Sequence, residues 1–481
     1  MHRGLRWATL GLGLACTESA PRTERPELLP CRLEGLGVEA RCGHLTVFEN
    51  RSTQEGRRLE LRLAVVPALA SQPLPDPLFL LVGGPGQAAT KAGPAVAEVL
   101  REVLRSRDVV LVDQRGTGGS NPLDCKNEEA ISLAKRFAPR TDLTETRACK
   151  SALQADTTLY TTNLAMDDLD DVRQALGYER INLWGGSYGT RAALVYLRQH
   201  PTHVRSLVLD GSAPFELKLP LFVARDGQRA LDSLFADCLA DADCAARFPD
   251  ARGEFERLLQ RLEREPETTR LLHPRTGLPE TLVVEREGLA AALLNLLYVP
   301  ALAGLIPLGV ERASRGEYGT LVAPVEAFSN GVDLSEGMFL SVVCAEDLSR
   351  VTEQEVTEQT QGTFLGAGWL SRLREQCAEW GAATLPEAYF APVVANVPSL
   401  LLSGDLDPVT PPRWGELVRS TLSPSRHVVV PGAGHGVTSL GCVPQLIDQF
   451  LDTLDPIALD TRCLERLERP PFFTSLEGPS P

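Results

Sequence analysis

The stretch INLWGGSYG, residues 181–189, decides the fold of this chain. Its apolar first half is typical of a buried parallel strand, and a glycine-rich turn then leads into the helix-like segment 190–200. Gly-x-Ser-x-Gly between a strand and a helix is typical of a nucleophile elbow, in which glycines permit a sharp turn that projects the serine hydroxyl. We therefore predict Ser187 as a nucleophile. The alternative is a glycine-rich turn whose serine caps the helix.

Similar short apolar runs ending in glycine-rich or polar turns lie on both sides of this stretch. They are residues 78–82, 109–112, 206–209, 399–402 and 427–430. Helix-like segments such as 167–176 separate the early runs. Strands that alternate with helices predict a mostly parallel central sheet, of the α/β class, with helices on both faces.

This alternation stops after about residue 213, and amphipathic, charge-rich helical segments follow it. We predict an inserted, mainly helical cap. Turn-rich residues at 270–279 and 353–368 predict two linkers within it. The predicted organisation is a signal at 1–16, a first core part at 31–213, the cap at 214–391 and a second core part at 392–470.

A serine hydroxyl needs a base that takes its proton, and that base needs an acid that orients it. Among the seven histidines, His435 lies in a glycine-rich loop directly after a late apolar run, where the chain order Ser, acid, His would place the base. Asp405 and Asp407 both follow the 399–402 run. We predict Asp407 as the acid, because the proline-rich stretch 408–412 redirects the loop toward the histidine, and Asp405 is the alternative.

An oxyanion hole needs two backbone N–H donors, one directly after the nucleophile and one in a loop after an early strand. Tyr188 and Gly84 occupy these positions, with Gly84 inside Gly83-Gly84-Pro85-Gly86. We predict both as oxyanion donors. The alternative for the glycine-rich loop is a plain tight turn.

These motifs together resemble the proline iminopeptidase and tripeptidyl aminopeptidase (TAP-like) family of α/β-hydrolases. The segments that carry the resemblance are 83–86, 113–120, 185–189, 403–410 and 434–436. It implies an α/β-hydrolase fold and a serine peptidase that cleaves peptides near a free amino terminus, and no metal or organic cofactor. Val82 departs from the family, which usually carries a histidine before the two glycines, and this departure argues against proline specificity.

The family resemblance also implies acidic side chains that hold the substrate ammonium, since burying an unpaired ammonium is costly. Glu346 is the candidate and Asp347 the second choice; the alternative is a solvated acidic turn. Asp113 and Arg115 resemble the family's ion pair at a strand end and are predicted to be structural.

The same machinery also cleaves esters, so a carboxylesterase or lipase-like hydrolase is the alternative enzyme. A catalytically inactive surface binding protein is the alternative from another class. The formal net charge of -15 argues against nucleic acid as a partner, because binding to phosphate backbones relies on clustered Lys and Arg.

The first 16 residues are typical of an export signal, because Arg3 and Arg6 precede an apolar run at 7–15 that is too short to span a bilayer. Residues 12–16 resemble a bacterial lipobox, which predicts a lipidated Cys16 as the only attachment to a membrane. The alternatives are simple secretion and an uncleaved terminus.

Cysteine spacing supports export independently. Without Cys16, ten of the 11 cysteines remain. They fall into pairs that are close in sequence: Cys31 with Cys42, Cys125 with Cys149, Cys238 with Cys244, Cys344 with Cys377, and Cys442 with Cys463. Five such disulfides would indicate an oxidising compartment, and ordinary buried thiols are the alternative.

Overall fold

The computed structural model describes residues 25–124, 133–134, 143–329 and 334–479. Within these residues, nine strands form one sheet in the order β1-β2-β3-β5-β4-β6-β7-β10-β11. Its strands are β1 (Leu29–Cys31), β2 (Ala40–Asn50), β3 (Glu55–Val66), β4 (Leu78–Leu81), β5 (Val109–Val112), β6 (Ile181–Gly186), β7 (Val204–Asp210), β10 (Ser399–Gly404) and β11 (Ser425–Val430).

Neighbouring strands among β5, β4, β6, β7, β10 and β11 pair in parallel. At one side of the sheet, β1, β2 and β3 pair antiparallel, and β3 also pairs antiparallel with β5. Gly186 at the end of β6 lies opposite Asp210 of β7, and Asp210 lies opposite Leu402 of β10. Because parallel strands end at the same edge, the turns after these strands meet there. The sheet thereby brings residues from distant parts of the sequence to one edge.

Helices cover both faces of the sheet, as the alternation of strands and helices predicts. They are α1 (Ala89–Val99), α3 (Thr162–Leu176), α4 (Tyr188–Gln199), α15 (Pro412–Arg419) and α16 (Val443–Thr453), in the helix numbering used throughout. The helix α2 (Leu143–Ala152) packs instead on the helix Gly368–Trp380. Phe79 and Leu81 of β4 pack in the same core as α3 and α4, whereas Leu78 and Leu80 pack with α1 and α16. This alternation along one strand shows that the sheet is buried on both sides.

The segment between β7 and β10 is mainly helical and has an apolar core of its own. It contains α5 (Val223–Ala240), α6 (Ala242–Arg247), α7 (Ala251–Arg264), α8 (Arg286–Leu297), α9 (Pro300–Ala303), α10 (Ile306–Ala313), α11 (Gly319–Ser329), α12 (Glu336–Glu346), α13 (Glu353–Thr360) and α14 (Gly368–Trp380), together with the hairpin β8 (Glu267–Leu272) and β9 (Pro279–Val284).

Both linkers expected within this segment are regular structure instead. Residues 270–279 form the end of β8, its turn and the start of β9. Residues 353–368 include α13, whose first turn is stabilised by a capping box between Thr352 and Glu355. Turn-forming residues therefore marked a hairpin and a helix start.

Four of the predicted disulfides are confirmed: Cys31–Cys42, Cys238–Cys244, Cys344–Cys377 and Cys442–Cys463. The fifth predicted pair includes Cys125, which lies outside the described residues, as do Cys16 and the rest of the predicted signal. None of the described helices combines the length and hydropathy needed to cross a membrane.

Candidate active site

Ser187 occupies a strained turn between β6 and α4. Its φ of 56° and ψ of -124° are unusual for a residue with a side chain. A Cβ on Gly189 would lie 1.9 Å from the Leu81 carbonyl oxygen, and one on Gly185 would lie 2.5 Å from the Gly189 oxygen. The glycines are therefore required because α4 begins in direct contact with the backbone of β4.

Hydrogen bonds fix this turn to the loop after β7. The Ser187 N–H donates to the Asp210 carbonyl at 2.8 Å. Thr190 Oγ1 donates to the Ser187 carbonyl at 2.6 Å and accepts from the Ala213 N–H at 2.8 Å. The backbone at Ser187 is thus held by partners on both sides.

The glycine-rich loop after β4 lies against this turn. A Cβ on Gly83 would be 3.1 Å from the Ser187 Cβ and 3.3 Å from the Gly186 oxygen. Gly84 follows with a φ of +108°, a conformation that favours glycine. Both predicted oxyanion elements, the loop of Gly84 and the start of α4 at Tyr188, therefore adjoin Ser187.

His435 and Asp407 form a close pair at the same edge of the sheet. The His435 Nδ1 lies 2.8 Å from Asp407 Oδ2, and the Asp407 side chain is fully buried. The other carboxylate oxygen of Asp407 accepts from the Val409 and Thr410 N–H groups, both at 2.8 Å. The carboxylate that bonds His435 thus belongs to Asp407 and not to the alternative, Asp405.

The electrostatics of this pair favour a proton on Nδ1. Burial alone would lower the pKa of His435, but the charge of Asp407 and its hydrogen bond raise that pKa above the ordinary value. Burial would raise the pKa of Asp407, whereas the neighbouring His435 and the backbone donors hold it below the ordinary value. Asp407 therefore accepts from Nδ1, and Nε2 remains an acceptor for a second proton.

Two further side chains support His435, and the sequence analysis did not predict this role for either of them. Thr410 Oγ1 donates to Asp407 Oδ2 at 2.7 Å and lies 3.0 Å from His435 Nδ1. The buried Asp210 carboxylate accepts from the Val437 N–H at 2.9 Å, and from the Thr438 N–H at 2.8 Å and the Thr438 hydroxyl at 2.7 Å. The role of Thr410 could have been predicted from its position, because it carries a hydroxyl three residues after the predicted acid.

The inserted helical segment also contacts the loops of the pair. The Tyr298 carbonyl, in the turn between α8 and α9, accepts from the His435 N–H at 3.0 Å. Arg229 of α5 donates to the carbonyls of Asp405 at 3.3 Å and Asp407 at 2.7 Å. These contacts join residues far apart in the chain, so no local sequence pattern marks them.

Glu346 and Asp347 lie in the core, in contrast to the solvated turn that was the sequence alternative. Both side chains have 0% exposure. Thr162 donates to Glu346 through its N–H at 2.6 Å and its hydroxyl at 2.9 Å. Asp347 accepts from Arg191 and from the Leu219 N–H, each at 2.8 Å. Both carboxylates thus have internal partners, and their contact with a substrate amine stays a prediction.

The electrostatic surroundings of Glu346 are unusual for a carboxylate. Burial raises the pKa of Glu346 to about 7, although the Arg191 guanidinium and the Thr162 donors act in the opposite direction. The same burial raises the pKa of Tyr188. Glu346 is therefore a titratable group in the core, close to the start of α4.

Asp113 and Arg115 are buried and structural, but they do not pair with each other as the resemblance implied. Arg115 binds Asp168 through two hydrogen bonds of 2.6 and 2.8 Å. Asp113 accepts from the N–H and hydroxyl of Thr90 at 2.7 and 2.9 Å. The guanidinium reaches α3 because its long side chain extends past the strand end.

A cluster of Asp170, His200 and His203 is the metal-like grouping found among the described residues. Its carboxylate already accepts from Arg173 at 2.6 Å, from Tyr196 at 2.8 Å and lies 2.8 Å from His203. A guanidinium and a phenol thus already donate to this carboxylate, and the cluster is explained as a hydrogen-bond network.

Comparisons with known proteins agree with this architecture. Residues 76–253 match the model of the alpha/beta hydrolase fold, and residues 362–463 match that of TAP-like proteins. Serine protease Hip1 of Mycobacterium tuberculosis is 26% identical, over 90% of this chain and 89% of its own. Tripeptidyl aminopeptidase of Streptomyces lividans is 26% identical over 45% of this chain and 44% of its own. A probable proline iminopeptidase of Streptomyces coelicolor is 33% identical over 28% of this chain and 33% of its own. The chain is therefore an enzyme of the α/β-hydrolase fold, and it is similar to TAP-like proteins and proline iminopeptidases.

Proposed function

We propose that this protein is an exported serine aminopeptidase that cleaves peptides from a free amino terminus. Ser187 is the nucleophile, His435 the general base and Asp407 the acid that orients the imidazole. The amides of Gly84 and Tyr188 stabilise the oxyanion. The observation that carries the proposal is the 2.8 Å contact between His435 Nδ1 and Asp407, at the sheet edge where the Ser187 turn also lies.

The reaction follows from these positions as two acyl transfers. His435 Nε2 takes the proton of the Ser187 hydroxyl while Oγ forms a bond to the scissile carbonyl carbon. His435 then gives this proton to the leaving amine as the C–N bond breaks, which leaves an acyl-enzyme. A water molecule attacks the ester in the same manner, and the proton returns to Ser187.

Charge stabilisation accounts for the glycine-rich loop and for the start of α4. The negative charge of the tetrahedral intermediate develops on the former carbonyl oxygen, and two preorganised amides stabilise it without reorganisation. The amino-terminal end of α4 adds a positive partial charge beside Ser187. Because these groups act on esters and amides alike, they support a hydrolase function and do not distinguish between the two substrate classes.

The names of the relatives support a peptide substrate. The three relatives described above are named a serine protease, a tripeptidyl aminopeptidase and a probable proline iminopeptidase. The first of these aligns over most of both chains, which supports peptide hydrolysis by the whole protein. Release from a free amino terminus rests on the two shorter alignments.

Export is supported by the disulfides. Four bonds occur in the described residues, and such bonds persist in oxidising compartments. We further propose that Cys16 is lipidated after cleavage of the signal. Cys16→Ser in the full chain should then move the protein from the membrane fraction to the soluble fraction. A wild-type protein that is already in the soluble fraction would favour simple secretion.

Covalent labelling tests the enzyme assignment. A fluorophosphonate should label the wild-type protein and fail to label Ser187→Ala, while the exposed control Ser420→Ala should retain full labelling. Labelling that persists in Ser187→Ala would show that another residue is the nucleophile. A wild-type protein that takes no label would favour the inactive binding protein.

A substrate panel tests the aminopeptidase assignment separately. Matched peptides with free and acetylated amino termini should differ strongly in kcat/KM, and the free-amine peptide should be the better substrate. Equal turnover of both peptides would contradict aminopeptidase specificity. Turnover of short-chain esters without any peptide cleavage would favour the carboxylesterase alternative.

A further inference from the structure

A buried chain of hydrogen bonds leads from Glu346 to the residue directly after the proposed nucleophile. Glu346 Oε2 accepts from the Thr162 hydroxyl at 2.9 Å, and the Thr162 and Tyr188 hydroxyl oxygens lie 2.7 Å apart. The Thr162 N–H donates to the other Glu346 oxygen at 2.6 Å. Thr162, Tyr188 and Glu346 are all at most 1% exposed.

The direction of these bonds follows from the chemistry of the groups. In its ionised form the Glu346 carboxylate only accepts, so the single hydroxyl proton of Thr162 then points to Glu346. The Thr162 oxygen then accepts from the Tyr188 hydroxyl. In this form each group in the chain has one role, and the Tyr188 hydroxyl is linked to Glu346 through Thr162.

The end of α12 also holds the first turn of α4 at a second point. Asp347, directly after Glu346, accepts from Arg191, which is three residues beyond Tyr188. Its second oxygen accepts from the Leu219 N–H at 2.8 Å. Two consecutive carboxylates thus fix the first turn of α4, one through Tyr188 and one through Arg191.

A disulfide fixes the carboxylate end of this network. Cys344, two residues before Glu346, is bonded to Cys377 of α14. Glu346 is the last residue of α12, and Arg350 Nε donates to its carbonyl at 3.0 Å. The anchor of the hydrogen-bond chain is therefore held covalently and by hydrogen bonds.

We propose that Glu346, Thr162 and the Tyr188 hydroxyl form a positioning network that aims the Tyr188 amide at the oxyanion. This role rests on the proposed function, and it replaces the substrate-amine contact predicted for Glu346. The amide and the side chain belong to one residue at the first position of a helix, so holding the side chain in the core holds the amide direction. A loss of the network slows acyl transfer and leaves substrate binding unchanged.

Thr162→Val and Thr162→Ser provide the main test, because valine removes the hydroxyl at nearly constant volume and serine keeps it. Thr162→Val should lower kcat about tenfold without changing KM, since small errors in the aim of an oxyanion donor are costly. Thr162→Ser should restore most of kcat. Melting temperatures of both variants establish that each is folded.

Tyr188→Phe is the second variant, and it keeps the proposal testable if Thr162→Val does not fold. Its matched control is Tyr196→Phe in the same helix, which loses a buried tyrosine hydroxyl bonded to Asp170 at 2.8 Å. Tyr188→Phe should lower kcat with KM unchanged, whereas Tyr196→Phe should leave kcat at the wild-type level. Equal kcat in Tyr188→Phe and wild type would overturn the proposal.

Glu346→Gln separates positioning from amine recognition. Positioning predicts the same fractional loss of kcat for a free-amine peptide and for a small neutral ester. An increase in KM confined to the free-amine peptide would overturn the positioning role in favour of the amine contact. Absence of fluorophosphonate labelling in the wild type would overturn the proposed function itself, whereas normal labelling with an unaffected Thr162→Val would overturn the positioning network alone.

Discussion

Tyr298 lies edge-on against His435, with ring centroids 5.1 Å apart and an interplanar angle of 76°. The Tyr298 carbonyl also accepts the His435 N–H at 3.0 Å. The turn between α8 and α9 therefore holds the backbone and packs on the ring of the proposed base. Aromatic edge contacts of this kind contribute about 1 kcal/mol beyond the area they bury.

Gly434→Ala should separate this turn from His435. A Cβ at residue 434 would lie 2.3 Å from the Tyr298 oxygen and 2.7 Å from the Pro300 Cδ. Because backbone atoms cannot move aside cheaply, we expect the free energy of unfolding to fall by about 1–3 kcal/mol and kcat to fall by about tenfold.

Gly319→Ala is the matched control, since its added Cβ would meet nothing within 4 Å. It should leave kcat unchanged and stabilise α11 slightly, because alanine favours a helix over glycine. Denaturant unfolding and peptide hydrolysis measure both quantities. A Gly434→Ala variant as active and as stable as Gly319→Ala would show that the α8–α9 turn does not position His435.

Asp407→Asn should change the pH dependence as well as the rate. The general base must be neutral, so kcat/KM rises with pH through the pKa of His435. Asp407 raises that pKa above 6.5 in the wild type, and its neutralisation removes the raising effect. The acidic limb of the pH profile of kcat/KM should therefore move to lower pH in Asp407→Asn. At the same time kcat should fall by about 10⁴-fold, because the asparagine NH₂ donates to Nδ1 and leaves the imidazole in the wrong tautomer.

Asp405→Asn controls for general damage to the acid loop. Asp405 lies in the same turn, but the carboxylate bonded to His435 is that of Asp407. We expect Asp405→Asn to keep the wild-type position of the acidic limb. If the acidic limb of the pH profile moved in Asp405→Asn and stayed in place in Asp407→Asn, Asp405 and not Asp407 would be the acid that pairs with His435.

The sequence predicted the parallel strands well because such strands are buried on both faces and form continuous apolar runs. β4, β5, β6 and β10 all follow this pattern. β2 and β3 escaped detection, since they lie at the antiparallel side and alternate exposed with buried positions for much of their length. A search for continuous runs misses strands with one solvated face.

The proposed nucleophile, base and acid were predictable because each follows a strand of the parallel sheet. Tyr298 and Asp210 were not, since their contacts with the His435 loop depend on folding of the whole chain. Glu346 shows how a local pattern misleads. Two adjacent acidic residues left a solvated turn as the alternative to an amine site, yet α12 is apolar on nearly all sides, which is typical of a fully buried helix.

Asp210→Asn should destabilise the segment after His435. Oδ2 of the buried carboxylate accepts from the Val437 N–H, the Thr438 N–H and the Thr438 hydroxyl, and Oδ1 accepts from the same Val437 N–H at 3.0 Å. An asparagine carbonyl can replace only one of these oxygens, and the NH₂ at the other position places a donor against backbone donors. We expect a loss of about 1–3 kcal/mol in the free energy of unfolding, together with a lower kcat. Asp460→Asn, at an exposed ion pair with Arg462, should change neither quantity. Equal stability of the two variants would contradict an anchoring role for Asp210.

Loss of the Cys344–Cys377 disulfide should affect stability and activity together. The bond closes a loop with a sequence separation of 33, and the chain-entropy relation gives about 3–4 kcal/mol for that length. The Cys238–Cys244 bond has a separation of 6, so removing it should cost only about 2 kcal/mol. Double serine variants of each pair, unfolded in urea, test this order. Because Cys344 lies two residues before Glu346, the first variant should also lower kcat, whereas the second should not. A kcat that falls equally in both variants would indicate general loosening and not a specific link from α12 to the proposed nucleophile.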